Sequence, residues 1–515
     1  MNRQLISWIL GWVAILIGAS MLMSLPWAFP AFGQVEYFDA KGFSAMLGSM
    51  ALCGAAGAGL LYLGRRGRLM RKEAIAVVAL SWLMATVLGA VPFWLSGAAM
   101  GRDGAGEPVR IGFFQGIFES ASGFSGTGAT IITDLEDPEL MPRPILFWRS
   151  ETHFLGGLGI MVLFVAILGL GSAGKVLMRT EITGPKQESP HTRTQRAAMI
   201  FASIFVGMNV VLTLLLLLEG MNLFDALCHA FGTIATGGFS TYNKSVEAFG
   251  NAGIEMTIVV FMILACTNFS LLYFLLVWKP GQLVGDVEVR VYLGILVAAT
   301  ALVAGVGIWH GDFHTFGEAV RYSLFQVVSI QTNTGFGTRD FDQWSSTSRA
   351  ALILLMFIGG CAGSTSGSVK VIRYVLLTKI LWLELEQVFR PTVVRPVRLG
   401  KKPLTDPELR DNVLIFFCVW MVLFVAGWFL LVALEPEATW QGEGTNVREK
   451  LTDTASAVAA TLNGVGPGLG IVGESQNYAR FHTPSLFVLT WLMLLGRLEV
   501  FVLAVLFVPR FWQSG

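Results

Sequence analysis

Four short, glycine-rich stretches carry the residues whose types and spacing could do chemistry, and we number them turns one to four. Each follows a short apolar run and precedes a polar segment and then a long apolar one. Glycine adopts backbone conformations closed to other residues, so successive carbonyls in such a turn can point inward and replace the water around a cation. The turns contain no basic residue, which argues against an anion site. They are residues 122–130, 234–240, 331–337 and 462–468.

The composition indicates an all-α integral membrane protein. The 515-residue chain is 54% hydrophobic and only 14% charged, whereas an ordinary soluble domain has about 25% charged residues. Only helices and closed barrels satisfy their backbone in lipid, and apolar runs near full bilayer length exclude a barrel. The formal net charge of +1 gives no indication of a nucleic-acid partner.

Cysteine and histidine chemistry is not indicated. The five cysteines form no CxxC pair, so a disulfide framework is not expected, and the six histidines lack metal-ligand spacing. The first apolar run, Leu5 to Phe32, is too long for a signal peptide and lacks a cleavage site, so we interpret it as a spanning helix.

The turns divide the chain into repeated units. The apolar lead-in to turn one, Ile111–Ala121, is too short for a bilayer, which needs about 20 residues. We therefore expect each lead-in to enter the membrane and return, forming a pseudo-fourfold ring of four helix–pore loop–helix units. Residues 1–72 form an accessory two-helix domain, and the units are residues 73–173, 174–280, 281–400 and 401–515.

Charge sets the predicted topology. The linkers at 64–72, 174–196 and 370–410 are rich in Lys and Arg, which marks them as cytoplasmic, whereas the segments flanking the turns are acidic or mixed. This predicts a cytoplasmic N-terminus, outward-facing turns and ten spanning helices. The expected spans are Leu5–Ala31, Phe43–Leu63, Ala74–Leu95, Ile145–Leu170, Ala197–Leu218, Gly253–Val277, Val291–Trp309, a long run at Ala350–Phe389, Val413–Leu434 and Leu486–Val508.

Two kinds of transport protein fit such a chain. One is a pore with a selectivity filter, and the other is an alternating-access cation carrier with broken helices, coupled to sodium or protons. Carriers usually have twofold repeats and carboxylates at the midplane. Four repeats and few mid-helix acids favour the pore, and the carrier remains the alternative.

The turn sequences GTGAT, IATGGFSTYNKS, SIQTNTGFGTRD and NGVGPGLG resemble the four pore loops of the TrkH/TrkG/KtrB/HKT superfamily of potassium transporters. Residues 357–373 and 495–501 resemble the TrkH/TrkG family within it, and the resemblance covers the whole chain. It implies a potassium uptake subunit with one filter glycine per unit. In unit two Gly237 and Gly238 are both candidates, and Gly238 is preferred because Gly-Phe then matches unit three. The implied filter residues are Gly126, Thr127, Gly128, Ala235, Thr236, Gly237, Gly238, Asn333, Thr334, Gly335, Asn463, Gly464, Val465 and Gly466.

The resemblance also implies partners. It predicts K⁺ as the transported ion, a homodimer in the bacterial inner membrane, and a TrkA-like cytoplasmic ring that binds nucleotides. We expect no nucleotide on this chain itself, because its nearest glycine cluster, 156–159, lies inside an apolar run and is typical of helix packing.

The run from Ala350 to Phe389 is too long for one ordinary span and is interrupted by small residues. Backbone freed by such a break must be buried in protein or line a water-filled path, so we expect a gating loop just below the filter. Arg497 lies in the last apolar run, where a charge is expensive and usually functional. It could hold this loop across the path, or instead pair with Glu499 or snorkel. The predicted gate residues are Gly359, Gly360, Gly363, Ser364, Thr365, Ser366, Gly367 and Arg497.

Overall fold

The computed structural model describes residues 1–33, 37–67, 69–170, 190–391, 397–399, 402–404, 407–441 and 446–513. Within these residues the fold is carried by helices, and the strands form two short antiparallel hairpins, β1 (Ala99–Arg102) with β2 (Pro108–Arg110) and β3 (Val397–Leu399) with β4 (Lys402–Leu404). The helices of eight or more residues are α1 (Arg3–Ser20), α2 (Ala40–Leu63), α3 (Arg71–Leu95), α4 (Phe113–Ser125), α5 (Arg143–Leu170), α6 (Pro190–Leu218), α7 (Leu223–Ile234), α8 (Ala252–Ala265), α9 (Phe269–Leu276), α10 (Val287–His310), α11 (Phe316–Gln331), α12 (Ser346–Met356), α13 (Val371–Phe389), α14 (Pro407–Leu434), α15 (Lys450–Asn463) and α16 (Thr483–Arg497).

The N-terminal pair, α1 and α2, packs closely through small residues. A Cβ on Gly57 would lie 2.8 Å from the Gly11 carbonyl oxygen, so the two backbones touch where neither helix has a side chain. The predicted first span was wrong at its end, because α1 stops at Ser20 and short 3₁₀ turns follow. Pro26 and Pro30 prevent an α-helix from continuing through to Ala31, since proline lacks the N–H that a continuing helix would need.

Each unit consists of a long helix, a half-helix and a return helix. The half-helices α4, α7, α11 and α15 have only 13, 12, 16 and 14 residues, too few to cross a bilayer. The return helix of each unit packs against the half-helix of the next: α5 on α7, α8 on α11, α12 on α15, and α16 back on α4. The four units therefore close into a ring, as the sequence predicts.

Among the described residues, six helices are long and apolar enough to span a membrane, namely α1, α2, α3, α6, α10 and α14. Two bent pairs of helices each count as one further span: α8 with α9, bent by 108°, and α16 with residues 501–507, bent by 112°. The 28-residue α5 and the pair α12–α13 occupy the remaining positions of the ten predicted spans. The chain is thus a multi-pass helical membrane protein, and the count of ten stays a prediction.

The bends correct two expected helices. Gly253–Val277 is broken between Ala265 and Phe269, where the Cys266 carbonyl accepts a hydrogen bond of 2.9 Å from the distant Cys361 N–H instead of continuing the helix. Leu486–Val508 is broken after Arg497, where Glu499 and Val500 take positive φ values of 53° and 60°. Neither break has a glycine or proline at the bend, so hydropathy shows one continuous run.

Candidate functional site

All four half-helices end in the same backbone conformation. The glycine expected at each filter has a positive φ, and so does the residue two positions before it. Gly238, with φ of 77°, thereby matches its counterparts in the other units. Left-handed backbone is uncommon for residues with a side chain, yet Thr236 and Asn333 adopt it at the first of these positions. The pairs are Gly126 and Gly128, Thr236 and Gly238, Asn333 and Gly335, and Gly464 and Gly466.

The four glycines at the second position pack against carbonyls of the neighbouring unit in one closed cycle. A Cβ on each would lie within 2.6 Å of the carbonyl oxygen of the residue before the next unit's glycine, too close for a side chain. The turns are thereby brought together as one ring, with the carbonyls preceding each glycine at the contacts. The distance from the added Cβ to the neighbouring carbonyl oxygen would be 2.2 Å for Gly128 with Gly237, 1.9 Å for Gly238 with Thr334, 2.0 Å for Gly335 with Val465 and 2.6 Å for Gly466 with Thr127.

In three of the units, the polar side chain nine positions before the filter glycine is hydrogen-bonded to the last residue of the turn or to residues just after it. The Glu119 carboxylate accepts hydrogen bonds from the Thr130 hydroxyl at 2.9 Å and the Ile131 N–H at 3.1 Å. His229 Nε2 lies 3.0 Å from the Ser240 hydroxyl. Gln326 Nε2 donates to the Arg339 carbonyl at 2.9 Å. These residues were missed from the sequence, although their equal spacing is a usable signal.

A buried ion pair joins turn one to turn two. Arg149 Nε lies 2.6 Å from Glu119 Oε1, and both side chains are buried. The Arg149 guanidinium also donates to the Ser240 carbonyl at 3.0 Å and lies 3.5 Å from the centroid of the Phe239 ring. A buried pair is tolerated only when its remaining polar atoms are satisfied, and here the satisfying groups belong to the turns.

His153 makes a second connection between the same two turns. Its Nε2 accepts a hydrogen bond of 3.1 Å from the Phe239 N–H. This leaves Nδ1 to carry the proton, and Nδ1 lies 2.7 Å from the Gly123 carbonyl. The neutral ring stacks on Phe239 at 4.2 Å. Half-helix α4 is therefore fixed to the backbone that follows Gly238.

The expected interruption of the Ala350–Phe389 run is present as residues 357–370, which we name the inner loop, between α12 and α13. Its Thr365 carbonyl accepts a 2.7 Å hydrogen bond from Arg497 Nη1 and lies 3.1 Å from the Thr236 hydroxyl of turn two. Ser368 donates to the Asn463 side chain at the start of turn four at 2.9 Å. The inner loop is thus hydrogen-bonded to turns two and four. It contains Gly359, Gly360, Gly363, Ser364, Thr365, Ser366 and Gly367.

Arg497 is buried, and its Nε and Nη2 have no hydrogen-bond partner within the described residues. Glu499 pairs with Arg373 at 2.7 Å. The positive charge of Arg497 therefore lies beside the inner loop and turn one, with both terminal nitrogens 3.5 Å from the position of a Cβ on Gly126.

In the part of the chain that the structure describes, no group of three or more His, Cys, Asp or Glu side chains could hold a metal ion. The groups at the ring that can coordinate a cation are backbone carbonyl oxygens. Such oxygens suit a monovalent ion that is passing through, because they can replace its hydration shell.

Half-helices that meet in a closed ring of turns define a pore-loop membrane transporter of the all-α class. The TrkH family model, described as a cation transport protein, matches residues 44–514. The chain belongs to this family of transporters, which are not enzymes, and the predicted resemblance is confirmed.

Named relatives support this membership over the full length. The Trk system potassium uptake protein TrkH of Halomonas elongata is 35% identical over 505 residues, covering 96% of this chain and 97% of that protein. The Trk system potassium uptake protein TrkH of Escherichia coli K12 is 33% identical over 519 residues, covering all of both chains. The crystal structure of the potassium transporter TrkH from Vibrio parahaemolyticus matches with a TM-score of 0.83 and 31% identity, over 99% of each chain.

Proposed function

We propose that this protein mediates potassium uptake across the bacterial inner membrane, through the ring formed by turns one to four. The observation that carries the proposal is the closed cycle of contacts in which each filter glycine meets the carbonyl of the next unit. The names of the relatives, potassium uptake proteins, agree with it.

The ion is coordinated in this proposal by backbone oxygens. The carbonyls of Thr127, Gly237, Thr334 and Val465 are equivalent by position, and those of the residues just before them extend the path. The half-helices end at these turns, and the negative ends of their dipoles favour a cation. No side-chain carboxylate is required, which favours a pore over the ion-coupled carrier.

The direct test is ⁸⁶Rb⁺ uptake into liposomes containing the purified chain, together with growth rescue of a potassium-uptake-deficient bacterium at low potassium. Uptake should follow the rubidium gradient and should not require a sodium or proton gradient. Uptake that occurs only with such a gradient would establish the carrier. The absence of both uptake and rescue in correctly inserted protein would reject potassium transport.

The inner loop is the proposed gate. The Arg497 guanidinium binds the Thr365 carbonyl. Its positive charge therefore both fixes the inner loop and repels cations from the path. Opening requires this contact to break and the loop to leave the inner side of the turns.

The cytoplasmic partner completes the proposal. A TrkA-like ring that binds nucleotide docks on the basic cytoplasmic linkers and moves the gate of a homodimer with ten spans per chain and cytoplasmic N-termini. Addition of nucleotide should change flux only when the ring is present, because this chain binds none. Cross-linking in native membranes tests the dimer, and a monomer there would reject it.

A further inference from the structure

The Glu288 carboxylate accepts one hydrogen bond from the inner loop and one from the first turn of α13, the helix that follows the loop. Its Oε1 accepts from the Ala362 N–H at 2.7 Å and from the Ile372 N–H at 3.0 Å. Glu288 is only 7% exposed and belongs to α10, whereas its two donors lie ten positions apart on another segment. Backbone hydrogen bonds between Gly359 and Val369 and between Val371 and Gly360 close the base of the inner loop, and the Glu288 oxygen adds a side-chain connection between the loop residue Ala362 and the first turn of α13.

The two donors need such a partner. Ile372 is the second residue of α13, and N–H groups in the first turn of a helix have no acceptor within it. Lys370, at the N-cap position, makes no side-chain cap hydrogen bond. A carboxylate at the positive end of a helix is also favoured by the helix dipole. Glu288 thus caps α13 from a different helix and holds Ala362 with the same atom.

Glu288 also lies next to the linker between α9 and α10. Residues 277–286 connect α9 to α10, and Glu288 is the second residue of α10. The helix before the linker also contacts the inner loop, because the N–H of Phe269, the first residue of α9, donates to the Gly363 carbonyl at 3.1 Å. The two helices that flank the linker, α9 and α10, are therefore each hydrogen-bonded to the inner loop or its base.

We propose that Glu288 is a positioning residue of the gate, which couples the 277–286 linker to the inner loop. A displacement of the linker carries the carboxylate away from Ala362 and Ile372, which releases this part of the inner loop from the first turn of α13. The inference rests on the gate proposed above, and it adds the 277–286 linker to the segments through which the proposed cytoplasmic ring would move that gate.

Basal ⁸⁶Rb⁺ flux in liposomes, without any partner, tests the inference with four variants. Glu288→Ala should raise flux about tenfold, the change that a loss of about 1.4 kcal/mol from the closed state produces. Glu288→Gln keeps an acceptor oxygen but not its charge, so its flux should lie in between. Asp39→Ala is the control for the loss of a helix cap, because the Asp39 side chain caps α2 by accepting from the Gly42 N–H at 2.8 Å and lies outside the linker and the inner loop. Arg497→Ala is the reference for the gate itself.

A second measurement does not depend on flux. Cys361 is a buried thiol next to Ala362, and its maleimide labelling can be followed by peptide mass spectrometry. Labelling should be faster in Glu288→Ala than in the Asp39→Ala control. If Arg497→Ala raises flux while Glu288→Ala leaves both flux and labelling unchanged, the role of Glu288 is rejected and the gate stands. If neither variant raises flux, the gate fails and this inference with it.

Discussion

Gly466 lies against the carbonyl of Thr127, and a Cβ on the glycine would be 2.6 Å from that oxygen. The two residues belong to the last and first units, so their contact closes the ring that the other three glycines continue. The dimensions of the ring are therefore set by backbone touching backbone. A side chain at any of the four positions must displace a carbonyl of the neighbouring turn.

Gly128→Ser should reduce the discrimination of potassium from sodium. The new Cβ would lie 2.2 Å from the Gly237 oxygen, so the carbonyl must move and its fit to a dehydrated potassium ion is lost. The measurement is the ratio of potassium to sodium uptake in liposomes, and we expect it to fall about tenfold, or about 1.4 kcal/mol. An unchanged ratio would show that Gly128 is not a filter residue.

The matched control is Gly106→Ser. Gly106 has φ of 82°, almost that of Gly128 at 81°. No other described atom lies within 4 Å of the position of its Cβ, so the substitution strains the backbone without displacing a neighbour. Any effect common to both variants is therefore due to backbone strain, and the difference reports the displaced carbonyl.

Arg497→Ala should raise basal potassium flux about tenfold. A hydrogen bond from a charged donor contributes about 1.5–3 kcal/mol, and this one holds Thr365 of the inner loop at 2.7 Å. Arg497→Lys should raise flux less, because it keeps the charge but loses the planar donor. Flux is measured by ⁸⁶Rb⁺ uptake against the exposed-site control Arg448→Ala. Wild-type flux in folded Arg497→Ala protein would reject the gate.

The buried pair Glu119–Arg149 should control both stability and selectivity. Removing one partner of a buried ion pair costs about 3–5 kcal/mol, because the other charge remains without compensation. We therefore expect Arg149→Met to lower the unfolding temperature in detergent and the potassium-to-sodium ratio. The double variant Glu119→Gln, Arg149→Met should recover much of the stability, because no unpaired charge remains. A double variant that is less stable than both single variants would contradict this account.

Much of the ring could be predicted from sequence because each unit carries its own local signal. The turns around Gly128 and Gly335 combine small residues with short apolar lead-ins, and glycine is where the backbone needs a positive φ. The inner loop was predictable for the same reason, since Gly359, Gly360 and Gly363 interrupt an apolar run.

Contacts between distant segments could not be predicted in this way. The break after Ala265 is stabilised by the N–H of Cys361, which belongs to another unit. Glu119 and Arg149 each occur in a largely apolar stretch, and nothing local shows that they meet at 2.6 Å. Arg497 was predicted as a gate residue from the cost of its charge, but only the fold identifies Thr365 as its acceptor.

Neutralising Arg65 and Arg66 should weaken the binding of the proposed cytoplasmic ring. Both side chains are exposed after α2, and the Arg66 guanidinium lies 5.3 Å from the ring centroid of Trp8. Co-purification of a TrkA-like ring should fall in the double variant Arg65→Gln, Arg66→Gln, and most clearly at low salt, where surface charges are least screened. Lys41→Gln, at the predicted outer end of α2, is the control. Correctly inserted double variant that retains the ring normally would show that these residues only set topology.

Asp342 should make the stability of the outer segment after turn three depend on pH. Burial raises the pKa of its carboxyl from the usual value of about 3.9 to about 6, although the Gly470 N–H donates to it at 2.6 Å. The folded protein therefore holds this proton more tightly than the unfolded chain does. The stabilisation is full below about pH 4 and is lost as pH rises through about 6, amounting to about 1 kcal/mol after allowance for solvent screening.

Unfolding temperatures in detergent between pH 4.5 and 8 test this with Asp342→Asn, which keeps an acceptor for Gly470 and removes the titration. The wild-type protein should lose stability relative to the variant as pH rises from 4.5 to 7, and the difference should be constant above pH 7. Glu107→Gln, which removes an exposed carboxylate in the β1–β2 hairpin, should run parallel to the wild type. Parallel curves for Asp342→Asn and the wild type would mean that this carboxyl titrates alike in the folded and unfolded chains, and the burial argument would be wrong.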